Sequence, residues 1–80
     1  MPQRLKTDRK VIGTKQLRKA LKANRIAAAY LAEDADPMLL QPIREQCETD
    51  GVEVVYVRSM KELGALCQIR VGAACAALLR

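Results

Sequence analysis

The stretch Ile12-Gly13-Thr14-Lys15-Gln16 has the residue types of an anion-binding helix start. Thr14 is a good N-cap. A helix N-terminus presents unpaired backbone N–H groups and a partial positive charge, and both attract phosphate. Gly13 has no side chain, so another chain can come close to the backbone there. Lys15 and Lys19 add charge on one face, with Lys22 following on the same basic face. Gln16 adds a side-chain amide able to pair with a base edge. The chemistry is capture of phosphate with one element of base readout. The same residues also suit an ordinary capped basic helix whose cations are solvated, and by themselves they leave both readings open.

Other chemistries have less support. There is no His for acid–base work near neutral pH. Glu33, Asp34 and Asp36 cluster in one stretch, where acids serve as a helix cap and a solvated turn more often than as a metal site. Gly13, Gly51, Gly64 and Gly72 are isolated, so neither a phosphate loop nor a dinucleotide fingerprint is present. Cys47, Cys67 and Cys75 are odd in number and contain no C-x-x-C. Each falls on the apolar face of its expected element, which reads as a buried, reduced thiol acting as a small hydrophobe. Cys67 lies near a helix C-terminus, which disfavours thiolate. No catalytic residue, metal or cofactor is expected, and the chain does not read as an enzyme.

The elements that must position the basic stretch follow from the pattern. Residues 1–9 read as a basic N-terminal extension, ordered only in part, and residues 10–80 as a single domain. Residues 10–13 read as a short strand. A helix capped by Thr14 then runs to about Asn24. Its apolar face is Leu17, Ala20 and Leu21, and Lys15, Arg18, Lys19, Lys22 and Arg25 lie opposite at about 100° per residue. Ile26–Ala32 is a continuous apolar run, expected as a strand buried on both faces. Asp36 caps a second helix with Pro37 at its first position. Leu39, Leu40, Ile43 and Cys47 form the expected buried stripe, and Gly51 stops the helix. Residues 52–57 make the next strand. Ser59-Met60-Lys61-Glu62 reads as a capping box that opens a third helix, with Leu63, Leu66 and Cys67 inward. Residues 68–70 form a loop and residues 71–79 the last strand. The order β-α-β-α-β-α-β predicts an α/β fold: a three-layer α/β/α sandwich around a small mixed four-stranded sheet. Its crossovers have the length that usually makes parallel, right-handed units.

Size and charge set the class. Eighty residues make one domain. Half are hydrophobic, but there is no Trp or Phe and only two Tyr, so Leu, Ile, Val and Ala must build the core. Residues 1–25 hold nine Lys or Arg against one acid, Asp8, a net of +8. Residues 26–80 hold five basic and eight acidic residues, a net of −3, which together give the formal +5. A basic third joined to a mildly acidic remainder is an electrostatic footprint for a polyanion. The apolar runs at 26–32 and 71–79 are too short to span a bilayer, and the N-terminus lacks an apolar signal region. A cytoplasmic protein with no membrane partner is expected.

Four patterns, in order and in spacing, resemble the kink-turn-binding ribosomal protein family. They are Ile12-Gly13-Thr14-Lys15-Gln16 with Lys19-Ala20-Leu21, Leu31-Ala32-Glu33-Asp34-Ala35-Asp36-Pro37, Ser59-Met60-Lys61-Glu62-Leu63-Gly64, and Val71-Gly72-Ala73-Ala74. The likeness covers about residues 10–80. It is nearest to the small bacterial relatives of the archaeal and eukaryotic large-subunit proteins.

The resemblance implies a monomeric RNA-binding protein that recognises and stabilises kink-turn RNA, with ribosomal or messenger RNA as the partner and ribosome association as a further expectation. In that family the N-terminus of the first helix enters the major groove of a sharply kinked RNA at tandem sheared G·A pairs. Carried over by position, Lys15 and Gln16 would meet guanine edges and Lys19 a backbone phosphate, with Gly13 and Thr14 forming the tight turn into the helix. Residues 68–71 would cover the bases extruded at the kink, with Ile69 and Val71 as the apolar contact and Arg70 as an added phosphate contact. Two positions depart from the family pattern. Gln68 stands where a glycine is common, and Arg70 stands where an acid is common. The alternative from another class is a protein-interaction or thiol-responsive α/β domain whose basic helix is only solvated.

Overall fold

The computed structural model describes residues 9–80. In chain order the elements are β1 (Lys10–Ile12), α1 (Thr14–Lys22), β2 (Ile26–Ala32), α2 (Pro37–Asp50), β3 (Glu53–Val57), α3 (Met60–Leu66) and β4 (Cys75–Leu79). Residues 1–8 of the expected basic extension lie outside the described residues. Arg9 continues the β1 pairing, because its carbonyl accepts a 2.9 Å bond from the Leu79 N–H.

The four strands form one mixed sheet in the order β1-β4-β2-β3. β2 and β3 are parallel, and β4 lies between β1 and β2, antiparallel to both. The crossover expectation therefore holds for direction at β1–β2 and at β2–β3, and fails only at β3–β4. The cause lies after α3. That helix has seven residues, and the chain from 67 to 74 retraces it before β4 starts. β4 therefore runs opposite to β3. β1, β2 and β3 all end at the end of the sheet where β4 begins, so all three helices start there.

Residues paired across the ladders share a face. Leu31 is level with Tyr56 and Cys75, on the side covered by α2. Tyr30 is level with Val55 and Ala76, on the side covered by α3. α1 packs on β1, β4 and α2, which completes the three layers. β2 is covered on both faces, as its apolar run predicts, except at Ala27. There the register shifts between Ile26 and Ala28, and Ala27 is left exposed. Ala28, Ala29, Ala76 and Ala77 are fully buried at the centre of the sheet, so the helices sit on small side chains. Tyr30 is the one large aromatic ring in the core.

Several local expectations are corrected. Gly13, not Thr14, is the N-cap of α1, and Thr14 is its first helical residue. α1 ends at Lys22 and turns through Asn24 at φ +56°. Leu39 is 45 % exposed, because the buried stripe of α2 is Leu40, Ile43 and Cys47. β3 begins at Glu53. β4 begins at Cys75, not at residue 71: residues 71–73 lie against α3, with the Ala73 N–H bonded to the Met60 carbonyl at 3.0 Å, and Ala74 is the first to reach the sheet, its carbonyl accepting from the Ala32 N–H at 3.0 Å. Other expectations hold. Asp36 caps α2 at 2.9 Å from the Met38 N–H, and Gly51 ends it in the left-handed conformation at φ +69°.

Candidate nucleic-acid interface

The start of α1 and the loop before β4 are joined by a backbone bond. The Gly13 N–H donates to the Cys75 carbonyl at 2.9 Å. Helix start and loop therefore occupy one end of the sheet, side by side. Gly13 has φ +97°, where a side chain would be strained, and a Cβ there would meet nothing within 4 Å. The glycine is required by its backbone angle, and the space beside it is open to solvent.

α1 differs from the other two helices at its N-terminus. α2 is capped by Asp36 and α3 by Ser59, whose hydroxyl accepts from the Glu62 N–H at 3.1 Å. α3 has a second acceptor in Asp34, whose carboxylate takes the Met60 N–H at 2.8 Å. α1 has no side-chain cap and no acid in its first turn. The first intrahelical bond is the Leu17 N–H to the Gly13 carbonyl at 3.0 Å, so the N–H groups of Thr14, Lys15 and Gln16 face out. Lys15, Gln16, Lys19 and Lys22 are exposed, and Thr14 is half-buried. Among the described residues no carboxylate pairs with these lysines. The arrangement is a concentrated positive end on the surface, competent to hold a phosphate by backbone donors and charge together.

In the neighbouring loop Gln68 takes φ +65°, the left-handed region that favours glycine. Arg70 is exposed. Of the two apolar candidates, Val71 is 69 % exposed, and Ile69 is half-buried against the core. The loop is held against α3. The Ile69 N–H bonds to the Gly64 carbonyl at 3.0 Å, and a Cβ on Gly64 would collide with the Val71 carbonyl. Gly72 lies against Met60, with 3.2 Å from an added Cβ to the Met60 Cβ.

The sequence reading missed two residues at this end of the sheet. Met38 is 82 % exposed and Met60 is 37 % exposed. A signal for Met38 was available: it stands outside the Leu40–Ile43–Cys47 stripe. The acidic cluster has another use than metal binding, since Asp34 and Asp36 spend carboxylate oxygens on backbone N–H groups. All three cysteines are free and buried. Burial pushes the thiols of Cys47 and Cys67 up from the usual value; Asp50 adds to this at Cys47, and Lys10 opposes it at Cys67. Burial, with a smaller contribution from Cys47, pushes Cys75 up to about 11. These directions are opposite to what a reactive thiolate needs.

The chain matches the profile of the Ribosomal protein L7Ae/L30e/S12e/Gadd45 family over residues 1–80. It is 45 % identical over 69 residues to a protein named as RNA-binding from Caldanaerobacter subterraneus subsp. tengcongensis, covering 86 % of this chain and 84 % of the relative. It is 42 % identical over 76 residues to another so named from a Geobacillus strain, covering 95 % and 93 %. Among solved structures it is similar to the 15.5kD RNA binding protein of Giardia lamblia. The TM-score is 0.88 at 22 % identity, over 99 % of this chain and 67 % of that one, a likeness of fold.

Proposed function

Because the chain belongs to the Ribosomal protein L7Ae/L30e/S12e/Gadd45 family, we propose that it is an RNA-binding protein that recognises kink-turn RNA and stabilises its bent form. It would act in the cytoplasm as a monomer, on ribosomal or messenger RNA and in association with the ribosome, without catalysis. The observation that carries this reading is the uncapped, acid-free start of α1 beside the exposed loop at residues 68–71. A kinked RNA crowds its phosphates, and that repulsion disfavours the bend. A positive helix end that fits only the bent form shifts the population toward it. An A-form major groove is too narrow for a helix, so the kink itself is the recognised feature. In this reading Gly13 and Thr14 bring the backbone close, Lys15 and Gln16 reach base edges, Lys19 holds phosphate, and Lys22 follows on the same basic face. Val71, with Ile69 behind it and Arg70 beside it, covers the extruded bases.

Gel shifts test this with three RNAs of equal length: a kink-turn duplex, the same duplex with its G·A pairs replaced by Watson–Crick pairs, and a plain duplex. Tight binding to the first and much weaker binding to the others is expected. Equal affinity for all three would reduce the protein to a general polyanion binder.

A further inference from the structure

A groove of about 570 Å³ runs between α1 and α2, along the flank of the basic helix and away from its N-terminus. Leu21, Pro42 and Ile43 form its apolar floor, and Arg18 and Lys22 stand on the α1 rim. Both cations are exposed, and neither has a carboxylate partner among the described residues. Folding gives no reason for them. Like charges at i, i+4 destabilise a helix, and α1 carries two such pairs, Lys15–Lys19 and Arg18–Lys22, with no acid between residues 14 and 22. α2 is built differently: Arg44 faces Glu48 at 4.0 Å, and Gln41 donates to Glu45 at 3.1 Å. An unneutralised stripe maintained on one helix is the signature of an anionic partner.

The stripe also has a direction. Lys15, Arg18, Lys19 and Lys22 fall at i, i+3, i+4 and i+7, so they lead from the helix start to the groove. Seven residues span about 10 Å of helix axis. A nucleic-acid strand carries a phosphate roughly every 3.4 Å of duplex axis, so the stripe is long enough for more than one. Asp50 lies at the α2 side of the groove, its carboxylate held by the Gln46 amide at 3.1 Å. It puts negative charge where such a track would end.

We propose that the α1–α2 groove is a second RNA subsite, which takes the sugar–phosphate backbone of one stem flanking the kink, with Arg18 and Lys22 on its phosphates. The proposal rests on the RNA-binding reading above. It adds a stem-length dependence that the helix start alone does not require.

The test measures affinity across potassium chloride concentrations for a kink-turn RNA with both stems long and for versions with each stem cut short in turn. The wild type should lose affinity and salt slope on shortening one of the two stems, the slope falling by about 0.7–0.9 for each phosphate the groove no longer holds. Arg18→Ala with Lys22→Ala should bind the long RNA roughly tenfold more weakly near physiological salt and show no further weakening on that shortening. The melting temperature of the free protein should hold or rise slightly, because the Arg18–Lys22 repulsion is removed. Asp50→Asn should tighten binding to the long RNA alone, about twofold to fivefold. If the wild type binds the kink-turn but ignores both stem lengths, or if the double variant weakens every RNA equally, the groove is not a backbone subsite. A wild type that binds none of these RNAs overturns both the RNA reading and the subsite.

Discussion

Lys19 and Gln16 lie within one turn of each other on α1, yet an RNA would use them differently. Lys19 offers a point charge. Lys19→Ala should weaken binding to all RNAs alike and flatten the salt dependence by about one unit of slope. Gln16 offers an amide with a direction. Gln16→Ala should erode the preference for the kink-turn by roughly 1–3 kcal/mol, if the amide pairs with a base edge. Fluorescence titrations across salt separate the two effects, and identical behaviour would remove the distinction between a phosphate contact and a base contact. Charge and exposure at these positions were legible in the sequence, because the apolar stripe of Leu17 and Leu21 fixes the opposite face. The N-cap was less legible. Gly13 and Thr14 are both acceptable cap residues, and only the backbone angle of Gly13, φ +97°, decides between them. Sequence pointed to Ile69 at least as the outward residue of this loop; instead Ile69 is half-buried against the core and Val71 is the exposed one. That depends on how the loop lies on α3.

The third helix is the element that gives the loop its shape. Its N-terminus is fixed by Ser59 and Asp34, and its Gly64 lets the Val71 carbonyl sit directly on the helix. Gly64→Ala would force that carbonyl away and move Val71, lowering both stability and RNA affinity. Val71→Ala should leave stability nearly unchanged, since the side chain is exposed, and should raise the dissociation rate from RNA with little change in association. Thermal melts beside RNA dissociation rates distinguish the two substitutions. A Val71→Ala protein with wild-type dissociation would take this loop out of the binding surface. The existence and order of all seven elements were readable from caps, glycines and periodicity. The start of β4 was not. Val71 to Ala74 is apolar enough for a strand, but Gly64 and Gly72 let residues 71–73 lie on α3, and that is a tertiary contact between separate segments of the chain. Strand direction was hidden for a similar reason, because periodicity shows which residues face the core and not which way a strand returns.

At the scale of the whole molecule, the fold is held by a small core in which Ala and Cys fill the sheet centre and Tyr30 is the one large ring. Domains of this size bury a limited fraction of their surface and are marginally stable. The unpaired cations of α1 add self-repulsion in the folded state. A ligand that binds only the folded form should therefore have a large effect. At a free kink-turn RNA concentration about one hundred times its dissociation constant, linkage adds about 2.7 kcal/mol. For a domain of this length that should raise the melting temperature by about 10–20 °C. The shift should shrink as salt rises, because RNA binding weakens while the free protein changes little. A Lys19→Ala protein should melt at or slightly above the wild type alone, since the Lys15–Lys19 repulsion is gone, and gain less from the same RNA. The measurement is circular dichroism in the helical band, at several RNA and salt concentrations, with the Watson–Crick-substituted duplex as control. If the control duplex stabilises the protein as much as the kink-turn does, the helix start senses charge and not the bend. If neither duplex moves the melting temperature, the positive end of α1 is only a solvated surface.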